Sequence, residues 1–292
     1  MRTFQIRHLT RYQYDRPVTF GVHSLMIRPR DGHDMRILDS SLGVTPQADV
    51  RWAFDTFGNS VTHLTFHKES DELVIVSELK LSRHVLDEPV GTLARTSAAY
   101  PFAYDGDDSI DLAPYLSLQY PQDRPVVDSW IADLMPEPPG NAMEVLDLLG
   151  RGVHETLAYR RREEYGVQTP RESLAARSGT CRDFAFLFME AARTLGFAAR
   201  FVTGYLYSPG LDDSTEGALE GAGATHAWAD IFIPGAGWVE FDPTNQIVAG
   251  RNLIRVASTR TPAQAAPVSG SYAGNGAVLT GMDVKVGVSR AD

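Results

Sequence analysis

The sequence predicts an α+β protein: an antiparallel β-sandwich, followed by a region in which one cysteine-bearing helix packs on a second antiparallel sheet. Three observations carry this. Short strand-like segments separated by turn signals fill the first hundred residues. From Asn141 the apolar residues switch to the spacing of amphipathic helices. Three further strand-like runs then follow the cysteine helix directly.

Residues 1–100 form the predicted sandwich. "TFQIRHLTRYQY" places Phe4, Ile6 and His8 on one face, with Tyr12 and Tyr14 further along. "DELVIVSELKLSRHVL" alternates Leu73, Ile75, Ser77, Leu79 and Leu81 in the same way. Between them "VRWAFDTFGNSVTHLTFH" reads as a hairpin whose Gly58-Asn59 supplies the positive φ values of a tight turn. His63 and His67 lie on the returning strand without a carboxylate or cysteine to complete a metal set, so structural roles are expected. The composition changes from Pro89 onwards, and residues 101–140, with Pro101, Pro114, Pro121, Pro125 and "MPEPPG", read as a connecting region with room for one short helix. Within it "YDGDDSIDL" gathers Asp105, Asp107, Asp108 and Asp111 but lacks the spacing and final Glu of an EF-hand, so a solvated turn is expected.

Residues 141–262 form the predicted core. Val145, Leu146, Leu149, Val153 and Leu157 define one helix. A second runs from about Cys181 to Leu195, capped by Thr180 and stopped by Gly196, with Ala185, Phe188, Ala192 and Leu195 on one face. Strands follow in "ARFVTGYLY", "HAWADIFI" and "WVEFD". Residues 263–292 make a tail with one candidate strand, "MDVKVGV" at 282–288.

Bulk properties exclude several classes. A net charge of -10 argues against a nucleic-acid backbone or an anionic membrane surface as partner. The Arg160–Arg162 run is compensated at once by Glu163 and Glu164. A single cysteine excludes an internal disulfide and a cysteine-based zinc site, and fits a reducing compartment. No apolar run reaches 18 residues, and the N-terminus has no signal-peptide pattern. A soluble cytoplasmic protein without a cofactor is expected. No signal for an oligomeric state is present.

The lone cysteine has two readings. Free cysteines are usually small buried hydrophobes. At a helix start, however, unsatisfied N–H groups and the helix dipole favour an anion, the setting in which thiols become nucleophiles. A nucleophile needs a base and a group to orient that base. His226 opens the strand "HAWADIFI". A hairpin centred on Pro234 sets His226 directly opposite Asp242, Trp228 opposite Glu240 and Asp230 opposite Trp238, bringing imidazole and carboxylate within reach. Pro243 then ends the strand. Cysteine on a helix start with histidine and aspartate on adjacent strands is the layout of papain-type peptidases and transglutaminases.

"SGTCRDFAFLFMEAARTLGFAARFVTGYL" and "ATHAWADIFIPGAGWVEFDPTN" resemble the core of the bacterial transglutaminase-like superfamily, over roughly residues 1–270 together with the N-terminal part. "RHLTRYQYDRPVTFGVHSLMIRPR" and "FDTFGNSV" resemble the β-rich N-terminal region that accompanies that core in bacteria. The resemblance implies a papain-like α+β core joined to a β-sandwich, with Cys181 as nucleophile, His226 as general base and Asp242 as its orienter. Two departures bear on the cleft: Phe186 stands where many relatives have histidine, and "STRTPAQAAPVSG" (258–270) replaces a "GRDY-x-D" segment. The reaction implied forms a thioester on Cys181 from a peptide or carboxamide. Water would complete a peptidase or amidase reaction, the favoured outcome, on a peptide or protein substrate. An amine would complete a transglutaminase reaction. A non-catalytic protein-binding scaffold is the third reading. Trp228 is a candidate substrate-site or oxyanion contact, with a shielding role favoured.

Overall fold

A computed structural model describes residues 2–84, 98–161, 166–209, 219, 221–250 and 252–291. Pro89 and the charges at Arg162–Glu164 lie outside the described residues. The chain begins with β1 (Arg2–Phe20), β2 (His23–Leu25), β3 (Met35–Thr45), β4 (Ala48–Phe54), β5 (Ser60–Phe66) and β6 (Ser70–Arg83). Helices follow as α1 (Gly106–Asp111), α2 (Ala113–Leu116), a 3-10 turn at Pro121–Asp123, α3 (Arg124–Leu134) and α4 (Ala142–Thr156). Next come β7 (Ala158–Tyr159), α5 (Pro170–Ala176), β8 (Ser178–Gly179) and α6 (Cys181–Thr194). The second sheet uses β9 (Ala198–Leu206), β10 (His226–Ile233), β11 (Gly237–Asp242), β12 (Ile247–Val248) and β13 (Leu253–Thr259). The chain closes with β14 (Val268–Ser269), β15 (Tyr272–Ala273) and β16 (Leu279–Arg290).

The N-terminal sandwich has one sheet ordered β15-β1-β6-β3, with β16 also on β1, and a second ordered β14-β2-β5-β4. The core sheet is ordered β12-β11-β10-β9-β13. The 279–290 strand runs longer than the expected 282–288 and pairs antiparallel with β1 from Phe4↔Arg290 to Tyr14↔Leu279. The tail therefore completes the first sheet of the sandwich.

The apolar face of β1 serves two interfaces along its length. Near its start Phe4 and Ile6, with Leu79, Leu81 and Val286, pack on Tyr205, Tyr207, Ile254 and Val256 of the core. Further along, Tyr14 and Val18, with Leu73 and Ile75, pack on Leu25 and Leu64 of the second sandwich sheet. Between the two lies a buried polar relay. The Tyr205 hydroxyl donates to the Ile27 carbonyl at 2.8 Å and lies 3.1 Å from His8 Nδ1, while Thr10 Oγ1 is 3.1 Å from His8 Nε2. A neutral His8 that donates from Nδ1 and accepts at Nε2 satisfies all three groups. Burial supports that form by pushing the His8 pKa down to about 4.

The β4–β5 hairpin differs from expectation in one detail. Gly58 has φ 76°, but Asn59 has no positive φ. Asn59 is instead buried and pegs the hairpin to the core: Nδ2 donates to the Ser258 carbonyl and Oδ1 accepts from the Ser258 N–H, both at 2.9 Å. His63 bonds Ser24 and His67 bonds Asp49, and no group of three metal-ligating side chains occurs among the described residues. The Asp105–Asp111 segment forms α1 rather than a turn, and 101–140 is far more helical than the expected single short helix. Pro114, Pro121 and Pro125 each stand at the first or second position of a helical segment, where the missing N–H costs nothing.

A charged cluster bridges the sandwich and the core. Asp230 stands opposite Glu240, and around them lie Arg83 from β6, Arg255 from β13, Arg200 from β9 and Asp34. Burial, and then the neighbouring Asp230, raise the Glu240 pKa to about 7, against the pull of Arg83 and Arg255. Between about pH 4.5 and 7 the folded chain therefore binds this proton more tightly than the unfolded chain does. This group's contribution to stability falls as pH rises through that window. Glu240→Gln is expected to flatten the fall; chemical-denaturation midpoints at intervals from pH 5 to 8 measure it, and parallel curves for the two proteins would refute the assignment.

Candidate active site

The Cys181 helix is buried almost throughout, and its Ala185, Phe188 and Ala192 pack with Ala227, Ala229, Ile231 and Ile233 of β10. Its start is fixed by a carboxylate three residues in. Asp183 accepts from the Thr180 N–H at 2.8 Å, the Thr180 hydroxyl at 2.9 Å and the Gln168 N–H at 2.7 Å. Gly179 is required here, because a Cβ on it would come within 2.6 Å of Asp183 Cβ. Gly196, at φ 90°, lets the chain leave the helix. Cys181 thus occupies the first helical position, where backbone N–H groups have no intrahelical partner.

Strand alternation turns Ala227, Ala229 and Ile231 towards this helix and leaves His226, Trp228 and Asp230 on the other face. The β10–β11 register differs from the one expected. Ile233 pairs with Gly237 and Asp230 with Glu240, because Ile233 to Ala236 close a turn with Gly235 at φ 82°, centring the hairpin on Gly235. Continued outward, this register puts Asp242 opposite Trp228 and diagonal to His226. A shift of two positions preserves the faces, so the two side chains still meet: His226 Nε2 donates to Asp242 Oδ2 at 2.8 Å.

All three groups are shielded: Cys181 is 6% exposed, His226 1% and Asp242 1%. Burial raises the Asp242 pKa, but His226, Asn245 and the Thr244 N–H outweigh it and hold the carboxyl below its usual range. Burial lowers the His226 pKa; the Asp242 carboxylate and then Cys181 more than reverse this, raising it to about 10. Among the described residues His226 Nδ1 is buried without a hydrogen-bond partner, and the nearby Cys181 side chain adds to the rise in the imidazole pKa. Gly221 lies against the same nitrogen, since a Cβ there would be 2.7 Å from Nδ1 and 3.6 Å from the Tyr159 hydroxyl.

Two features escape the sequence reading. Asn245 Nδ2 donates to Asp242 Oδ2 at 2.9 Å, and the Thr244 N–H donates to Oδ1 at 3.0 Å. His154 Nδ1 in turn lies 3.0 Å from the Thr244 carbonyl. The available signal was "DPTN" itself, in which an Asn follows an Asp across a turn. Trp228 is fully buried with Val202, Leu206 and Leu253, its ring centre 6.1 Å from that of His226 and its Nε1 without a hydrogen-bond partner among the described residues. Phe186 does not reach the site: it is fully buried, edge-on to Tyr120 at 5.7 Å. A cavity of about 190 Å³ flanks Asp242 between α4 and β12, lined by Leu146, Gly150, Arg151, Gln246 and Val248 among others.

A cysteine at a helix start beside a buried His–Asp pair, on a sheet joined to a β-sandwich, defines a transglutaminase-like fold. Residues 135–243 match the transglutaminase-like superfamily and residues 4–82 the bacterial transglutaminase-like N-terminal region; the chain belongs to that superfamily and carries both parts. An uncharacterized protein of Mycobacterium tuberculosis is 28% identical over 282 residues, covering 91% of this chain and 86% of its own. One from Mycobacterium leprae is 26% identical over 306 residues, covering 99% of each. A solved structure from Cytophaga hutchinsonii, bearing the provisional description of a cysteine protease, has the same fold, with a TM-score of 0.72 at 20% identity over 100% of this chain and 91% of that one. No helix among the described residues is long and apolar enough to cross a membrane.

Proposed function

We propose that the protein is a cysteine-dependent acyl-transfer enzyme, acting as a peptidase or amidase on a peptide or protein substrate. The observation that carries this is the 2.8 Å bond between buried His226 and Asp242, with Cys181 acting on the same imidazole from a helix start. In this reading the resting pair is a Cys181 thiolate and a His226 imidazolium. The thiolate sulfur attacks the carbonyl carbon, and the oxyanion is held partly by the Cys181 N–H. As the C–N bond breaks, His226 gives its proton to the leaving amine, and a thioester remains. His226, now neutral, takes a proton from water; hydroxide adds to the thioester, the acid leaves, and the thiolate–imidazolium pair is restored. Asp242 keeps the ring oriented and stabilises its charge.

Water is favoured over an amine as acceptor because aminolysis needs a site that binds the amine and excludes solvent. Superfamily membership supports amine transfer as a second reading. Two measurements test both. Cys181 is expected to be alkylated stoichiometrically by iodoacetamide near neutral pH, well above the rate of a free thiol. Peptide libraries incubated with and without a primary amine then give cleaved masses for a hydrolase or amine adducts for a transferase. An inert thiol would sink both readings and leave a protein-binding scaffold.

A further inference from the structure

We propose that Asn245 is a positioning residue that holds Asp242 as an oriented carboxylate for His226; this rests on the triad reading above. Strand β11 ends at Asp242, so the sheet ladder places its backbone but does not fix the plane of its carboxylate. The next three residues do that. The chain folds back across Pro243 so that Asn245 Nδ2 donates to Oδ2 at 2.9 Å. His226 uses the same oxygen at 2.8 Å, while Oδ1 is occupied by the Thr244 N–H at 3.0 Å. Two donors on one oxygen and one on the other distinguish the two oxygens and oppose rotation of the group. The return is locked just beyond Asn245, where Gln246 has φ 54°, and from the side, where His154 holds the Thr244 carbonyl. Asn245 itself is only partly buried, unlike a residue that fills core space.

The Asn245 amide also contributes positive hydrogen-bond potential to a carboxylate that is 1% exposed. Hydrogen bonds to charged groups are the strong class, and losing one corresponds to roughly ten-fold or more in rate where the charge assists the reaction. The test is the rate of Cys181 alkylation by iodoacetamide across pH, for wild type, Asp242→Asn, Asn245→Ala, Asn245→Asp and the double variant Asp242→Asn/Asn245→Ala, with thermal melts to confirm folding.

Asn245→Ala is expected to slow alkylation at neutral pH about ten-fold. Asn245→Asp matches the native volume but faces Asp242 with a second carboxylate, so it should lose more than Asn245→Ala and shift the pH profile. In the double variant, the alanine should add less than about two-fold to the loss from Asp242→Asn, because both act through one group. If Asn245→Ala does not fold, the size-matched Asn245→Asp carries the comparison. An Asn245→Asp protein that reacts like wild type or loses less than Asn245→Ala would overturn the proposal, as would fully additive losses. Asp242→Asn alkylated at the wild-type rate would remove the triad reading itself; Asp242→Asn slowed with both Asn245 variants unaffected would remove only this inference.

Discussion

Cys181→Ala is expected to abolish the proposed acyl transfer, lowering kcat/KM for any substrate found by peptide profiling by at least about 10⁴-fold, because it removes the thiol that would form the thioester. The fold should survive. The change deletes one sulfur from a site that is 6% exposed, and the helix start is fixed by Asp183 and Thr180 rather than by the thiol. Asp242→Asn is the companion variant. It keeps the size of the side chain but presents an amide where His226 needs an acceptor, with an expected loss of about 10³- to 10⁴-fold by analogy with triads in general. It also removes the charge that holds the His226 pKa near 10, so the imidazolium should be lost at lower pH and thiol alkylation should become steeply pH-dependent. Steady-state kinetics and alkylation rates read both effects. Turnover by a folded Cys181→Ala protein would be fatal to the covalent mechanism.

Much of this site was legible because its parts are local. Thr180 and Gly196, the expected bounds of the Cys181 helix, stand just before and just after it, because such stop and start signals depend on near neighbours in sequence. "HAWADIFI" alternates cleanly enough to fix its faces. The hairpin register was less legible: placing the turn on Pro234 rather than Gly235 shifted the pairing by two positions, and the site survived only because strand faces repeat with period two. Two kinds of feature were out of reach. The partner of β16 is chosen by a surface far away in sequence, and nothing in "MDVKVGV" names β1. The prolines of residues 101–140 mark a connecting region with room for one short helix when read from sequence, yet three of them begin helical segments, and that difference depends on one or two positions of phase. Asn245 reads as an ordinary turn residue until the chain reversal after it brings the amide onto Asp242.

The largest expected loss of stability lies on the same helix, at the far end from the thiol. Glu190 and Arg193 are three apart in α6, a spacing that on an exposed helix would form a solvated pair of small value. Here both are buried, with side chains 2% and 0% exposed and 2.9 Å between Oε1 and Nη1. Arg193 also donates from Nε to the Tyr115 carbonyl at 2.9 Å, and from Nη2 to the carbonyls of Ala199 at 2.8 Å and Arg260 at 2.7 Å. Glu190 Oε2 accepts the Gln119 and Tyr120 N–H groups at 2.9 and 3.1 Å. One ion pair thus satisfies main-chain groups from α2, the turn before α3, β9 and the segment after β13. Burial pulls the Arg193 pKa down and Glu190 pulls it back. Arg193→Met would strand a buried carboxylate and three carbonyls, at a cost of about 3–5 kcal/mol. Glu190→Gln, which keeps acceptor capacity, should cost less. Removing both charges in Glu190→Gln/Arg193→Met should recover only part of the loss, because the three carbonyls remain without a donor. Denaturant midpoints with the m-value held constant measure each step. An Arg193→Met protein within about 1 kcal/mol of wild type would mean that the guanidinium's main-chain bonds are replaced by water, and that the pair is not what fastens these four segments to the helix.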